Sequence, residues 1–252
     1  MSGLDYMEEN LRDVRERIAR AEERSGRVGR TTLVAAVKYT DAEHIAELVR
    51  LGVRDLGENR VQQLTEHADA LAAMGIRDVR FHFIGTLQRN KVKYLADRAV
   101  MIHSLDSLPL AEELERQMEK RGRTMDVLVE INSGREESKS GVEPDRAAEF
   151  CRAVADFPHI RLRGFMTMAP KCEKNEDYRK YFRETYKIGL DIWQKTLHNI
   201  GEPLFSMGMS GSFEIAIGEG ADFVRIGRAL FAPPQKDNGT IDISETQRRE
   251  NT

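Results

Sequence analysis

Cysteine is scarce in this chain: two residues of 252, Cys151 and Cys172. Two thiols so far apart build no disulfide framework, and no C-x-x-C pair is present to hold a metal or run redox chemistry. The expectation is a pair of reduced thiols in a cytoplasmic protein. Long apolar runs are missing as well. No stretch reaches the roughly 18 residues that read as a membrane span. Residues 1–27 contain no apolar core of the kind a secretory leader carries. Neither sign of charge dominates: 39 Lys and Arg stand against 42 Asp and Glu, a net charge of −3. That balance gives no sequence-wide pull toward nucleic acid or an anionic membrane.

What is present fits a soluble globular protein, with 40% apolar and 32% charged residues. Leu4, Met7, Leu11, Val14, Ile18 and Ala21 form one apolar stripe on a leading helix, ended by Ser25-Gly26. Thr31 to Val37 is then a continuous β-branched and apolar run without polar alternation. Such a run reads as a strand covered on both faces, as in a parallel sheet. The pattern repeats. Strands are expected at 53–56, 79–84, 100–104, 125–131, 162–166, 204–207 and 223–226. Helices are expected at 41–51, 58–74, 87–96, 108–121, 145–155, 177–197 and 213–218. Eight βα units in this length imply an α/β fold closed into a single (β/α)8 TIM barrel with an extra N-terminal helix, over residues 1–232. A doubly wound open sheet is the rival. The polar segment 233–252 is expected to be a disordered tail.

In a barrel the chemistry gathers where strands end. Lys38 directly follows the first apolar run. It is either a lysine leaving the strand into solvent, or one held against an apolar wall and suited to attack an aldehyde. Gly57-Glu58-Asn59-Arg60 follows the second strand as a turn or helix cap, with Asn59 offering a donor and an acceptor. His82 alternates with Phe81 and Phe83 and so can face the barrel axis, or it is a satisfied core histidine. Gln88 to Lys91 would make a polar rim, and Asp106 or Ser107 would cap the next helix. The loop from Asn132 to Gly141 is either a lid or plain surface.

Strand seven leads into Ser206-Met207-Gly208-Met209-Ser210-Gly211-Ser212, and strand eight into Arg225-Ile226-Gly227-Arg228. Small residues before a helix suit a phosphate, and barrels often bind phosphate after these two strands. Arg225 ends an apolar run, keeps its charge and needs an acceptor. Lysine plus phosphate suggests a phosphorylated aldehyde. It would be either pyridoxal 5'-phosphate (PLP) or a phosphosugar in a Schiff-base aldolase.

Several blocks match a known family in order. They are Val34-Ala35-Ala36-Val37-Lys38, Asp55-Leu56-Gly57-Glu58-Asn59, the run from His82 to Lys91, Glu136 to Gly141, Gly164 to Met168, Ser206 to Ser210, and Val224 to Gly227. Over residues 4–232 the chain resembles the PLP homeostasis proteins, fold type III single-domain relatives of the alanine racemase N-terminal barrel. The resemblance implies that Lys38 holds PLP as a Schiff base. It implies that Arg225 faces the pyridine nitrogen, which weakens the ring as an electron sink. The cofactor contacts it implies are Lys38, Asn59, His82, Met207, Ser210, Arg225, Gly227 and Arg228.

Three positions depart from the family: Arg60 replaces a usual tyrosine, Arg228 a serine or threonine, and Tyr39-Thr40-Asp41 a Thr-x-Pro. The function implied is intracellular PLP (vitamin B6) homeostasis by a monomer with little catalysis. PLP-dependent apoenzymes are candidate partners. The alternative is a racemase of low activity, since the second domain that carries a racemase's catalytic tyrosine has no counterpart here.

Overall fold

The computed structural model describes residues 4–38, 40–136, 139–196 and 201–233. Eight strands run in chain order: β1 (Thr32–Ala36), β2 (Asp55–Glu58), β3 (Arg80–Phe83), β4 (Ala99–Leu105), β5 (Met125–Ile131), β6 (Ile160–Thr167), β7 (Leu204–Ser206) and β8 (Phe223–Ile226). Every neighbouring pair is parallel, and β1 pairs with both β2 and β8. Ala35 sits beside Leu56 on one side and Ile226 on the other, so the sheet is a closed barrel rather than an open one. Closure removes both sheet edges.

Successive strand residues alternate between the axis and the helices. The outward set, including Val127, Val129, Phe165 and Phe205, joins the large core beneath the helices. The inward set is smaller. Met101, Leu128 and Met166, with Leu204 and Phe223 against them, form a separate apolar cluster.

The helices are α1 (Tyr6–Ser25), α2 (Ala42–Arg50), α3 (Val61–Ala73), α4 (Val92–Leu95), α5 (Leu108–Glu119), α6 (Ala147–Ala155), α7 (Tyr178–Thr196), α8 (Phe213–Gly218) and α9 (Arg228–Phe231). α1 buries the stripe from Met7 to Ala21. It ties the end of the barrel to its beginning. Asn10 Nδ2 donates to the Leu230 and Ala232 carbonyls at 3.1 and 2.9 Å, and Arg17 pairs with Glu214 at 2.9 Å.

Three elements differ from the sequence reading. β2 runs two residues later than 53–56, through Gly57 and Glu58. Gly57 faces the axis, where a Cβ would stand 2.9 Å from Val34 and from Ile84, so the missing side chain lets the strand continue. The helix expected at 87–96 shrinks to a 3-10 turn, Arg89–Lys91, and the one-turn α4. Apart from Leu87 at its start, only Val92, Leu95 and Ala96 of that segment are buried apolar residues. α9 is additional, one turn following directly on Gly227. Of the expected tail at 233–252, all but Pro233 lies outside the described residues.

Candidate functional site

A cleft of about 680 Å³ opens at the C-terminal ends of the strands. That volume falls in the usual range for small-molecule sites. Its wall contains Lys38 after β1, Asn59 and Arg60 after β2, Glu130 on β5, Ser210 after β7, Arg225 on β8, and Gly227 and Arg228 at the start of α9. Lys38, Asn59, Ser210, Arg225, Gly227 and Arg228 thus converge, although they come from four different strand ends. Lys139, Arg60 and Arg228 bring the cations on the wall to five, with Lys38 and Arg225, against one carboxylate. In a chain of net charge −3 this concentrates positive potential on one cleft, the arrangement that attracts an anion.

Asn59 Oδ1 is buried on this wall and no group of the described protein donates to it. A buried unsatisfied acceptor costs about 1–3 kcal/mol, and a ligand donor removes that cost. The wall therefore offers what a phosphorylated pyridine aldehyde needs: a primary amine, a fixed guanidinium, a hydroxyl with an arginine beside it, and an acceptor awaiting a donor. The Ser210 hydroxyl already accepts from the Ala229 N–H at 3.3 Å, which joins the β7 loop to α9.

Two expected contacts lie elsewhere. Met207 is fully buried in the outer core, because alternation along β7 turns Ser206 to the axis and Met207 away from it. His82 faces the axis as expected, but one layer below the cleft. Its Nε2 meets Asp55 Oδ1 at 2.9 Å and its Nδ1 meets His103 Nε2 at 2.9 Å. His103 Nδ1 meets Ser206 Oγ at 2.9 Å. Arg225 then donates to the Ser206 carbonyl and hydroxyl, both at 2.7 Å, and to the Thr167 carbonyl at 2.9 Å. At the far end Arg80 grips Asp55 at 2.7 and 2.5 Å.

Proton positions in this chain follow from its ends. Burial alone would raise the Asp55 carboxyl, but hydrogen bonds from His82 and Arg80 outweigh it and hold it at about 2. Asp55 is therefore an acceptor, and His82 Nε2 carries a proton. One proton lies in the His82–His103 contact and one in the His103–Ser206 contact, since each joins two groups able to accept. Neutrality of His103 is enforced by burial first, and by His82 and Arg225 after it, which push its pKa well below the ordinary value. The chain fixes the guanidinium in place and supplies it with acceptors only. Burial pulls Arg225 down to about 10, opposed by Glu130, so it remains a cation at neutral pH.

Glu130, Asp55, His103 and Ser206 were not singled out from the sequence. The available signal was alternation: Glu130 interrupts the run Val127-Leu128-Val129-Glu130-Ile131 at an axis-facing position, and Asp55 opens β2. Asp106 and Ser107, read as a helix cap, pair with each other at 3.0 Å, and Ser107 makes no side-chain cap to α5. Among the described residues no cluster of His, Cys, Asp or Glu could hold a metal ion, and no helix is long and apolar enough to cross a membrane.

Comparison with known proteins adds the family. Residues 4–233 match the alanine racemase N-terminal domain. A pyridoxal phosphate homeostasis protein of Aquifex aeolicus is 42% identical over 224 residues, 88% of this chain and 96% of the relative. That of Escherichia coli K12 is 35% identical over 224 residues, 88% of this chain and 94% of the relative. The solved structure of PipY of Synechococcus elongatus with PLP bound is 28% identical, with a TM-score of 0.75, covering 85% of this chain and 99% of PipY. With these matches running nearly end to end, the chain belongs to the alanine racemase N-terminal domain family and, within it, to the pyridoxal phosphate homeostasis proteins.

Proposed function

We propose that this protein binds PLP in the strand-end cleft, anchored on Lys38 as a Schiff base, and serves intracellular PLP homeostasis with little catalysis of its own. The observation that carries the reading is the shared wall: Lys38, the orphaned acceptor of Asn59 and the immobilised Arg225 line one cleft whose charge suits an anionic ligand. The PLP-bound relative and the names of the curated relatives support it. Ser210, Gly227 and the Arg228 guanidinium hold the phosphate, Arg228 by charge-assisted hydrogen bonds. His82 contributes indirectly, by fixing Arg225 through His103 and Ser206, and Met207 by packing behind the loop that carries Ser210.

PLP supplies electron withdrawal to a bound amine when its ring nitrogen is protonated. Arg225 has only donors to offer and keeps its charge. A ring nitrogen facing it stays unprotonated, and that withdrawal is weak. This supports a carrier over a catalyst. Slow racemisation is the competing reading, and Tyr178 on the cleft wall is the group that favours it. The Tyr178 hydroxyl already accepts from the Cys172 N–H at 3.3 Å. We further propose a cytoplasmic monomer that passes PLP to apoenzymes.

The test is a visible spectrum. Protein mixed with PLP gains an imine band, and Lys38→Ala does not. An unchanged band in Lys38→Ala excludes the anchor. Alanine racemisation near the ~10 per second of ordinary enzymes excludes the carrier reading.

A further inference from the structure

Glu130 is the one acid on a wall otherwise built of cations and neutral groups. It is 7% exposed, and no hydrogen bond or ion pair reaches its carboxylate among the described residues. Arg225, the cation whose charge favours its ionised form, has its donors directed to Ser206 and Thr167 instead. A buried carboxylate without a partner is costly as an anion and tolerable as an acid.

The groups around it decide which form it takes. Asp106, beyond the end of β4, opposes its ionisation, and Arg225 on β8 favours it. His103 on β4 is neutral. β6 places Met166 beside Glu130, and β7 places Ser206 beside Met166. Lys38, Arg60, Lys139 and Arg228 stand around the same cleft. Burial comes first among these influences and the Asp106 charge second. Together they outweigh Arg225 and raise Glu130 to about 7.

None of the roles assigned above to the cleft uses a carboxylate. A phosphorylated pyridine is itself an anion, so an ionised Glu130 opposes it and a neutral one does not. We propose that Glu130 is a specificity-determining residue of the cleft: as an acid it admits the anionic cofactor, and on ionising it expels it, so cofactor retention falls as pH rises. The inference rests on the cleft being the cofactor site. Binding of an anion in turn makes Glu130 take up a proton.

The experiment uses 4'-deoxypyridoxine 5'-phosphate, which carries the ring and phosphate but no aldehyde, so the ionisation of Lys38 does not enter through bond formation. Its Kd is measured from pH 5.5 to 8.5 for the full-length protein and for Glu130→Gln. The titrations of the probe itself are common to both and cancel in the ratio. The two proteins are expected to bind alike at pH 5.5, and the variant about tenfold more tightly than the wild type at pH 8. A ratio that stays constant across this range overturns the proposal.

Asp106→Asn provides a second arm that leaves the cleft wall untouched. Removing that charge eases the ionisation of Glu130, so the loss of affinity begins at lower pH than in the wild type. An onset that does not move overturns the proposal as well. Failure of the wild type to bind the probe at any pH would be a different result: it overturns the cofactor reading, and this inference with it.

Discussion

Glu130 and Asp55 are both buried carboxylates of the barrel interior, and their surroundings push them in opposite directions. Glu130 has its folded pKa raised from 4.5 to about 7. The unfolded chain therefore releases this proton first, and stability falls as pH rises from about 4.5 through 7. Glu130→Gln removes that penalty. In cofactor-free protein the variant is expected to match the wild type near pH 4 and to exceed it by about 3 kcal/mol at pH 8 by denaturant unfolding.

Asp55 has its pKa lowered from 3.8 to about 2. Its contribution is present above the unfolded value and is lost as pH falls through the folded one. Asp55→Asn should cost about 2 kcal/mol at pH 7, less what solvent takes from the half-exposed Arg80 partner, with the cost vanishing near pH 2. Equal stability of variant and wild type at pH 7 would show that the His82–Asp55 link contributes nothing. Lys38 and Arg225 were legible in the sequence because charged residues abut apolar runs there. Glu130 and His103 were harder to see. Each sits inside a strand, and only the parity of the strand assigns it to the axis.

At the scale of elements the eight strands were legible because each is an unbroken apolar or β-branched run between polar helices. Their ends were less so. β2 shifted because Gly57, which reads as a turn residue, is needed as a gap beside Val34 and Ile84. The helix expected at 87–96 is cut short because polar Gln88 to Lys91 have no apolar face to bury.

Another strand glycine carries a sharper consequence. Gly164 in β6 has φ 148°, and a Cβ there would run into the backbone of Leu204 in β7. The backbone cannot yield without breaking the β6–β7 pairing, which holds Thr167 and Ser206 under Arg225. Gly164→Ala is therefore expected to destabilise by about 3 kcal/mol or more and to weaken PLP binding. A variant with wild-type unfolding would show that the strands can separate freely.

The whole molecule is a closed barrel whose bottom layers are tied by the Arg80–Asp55–His82–His103–Ser206–Arg225 chain and whose mouth gathers five cations. A nearly neutral chain thus presents one strongly positive cleft, a property of the fold that composition conceals. Occupying that cleft ties together loops from four strands. PLP at 100 times its Kd should add about 2.7 kcal/mol to stability. For a domain of this size that raises the unfolding midpoint by roughly 5–10 °C. Lys38→Ala should keep part of the shift through the phosphate contacts, and retention of none would place the phosphate elsewhere.

The central claim is that Lys38 is the covalent anchor. Borohydride reduction of the PLP-loaded protein, followed by peptide mapping, tests it most directly. One reduced pyridoxyl adduct on the peptide containing Lys38 is predicted. An adduct confined to Lys139 or another lysine, or no adduct at all, would contradict it.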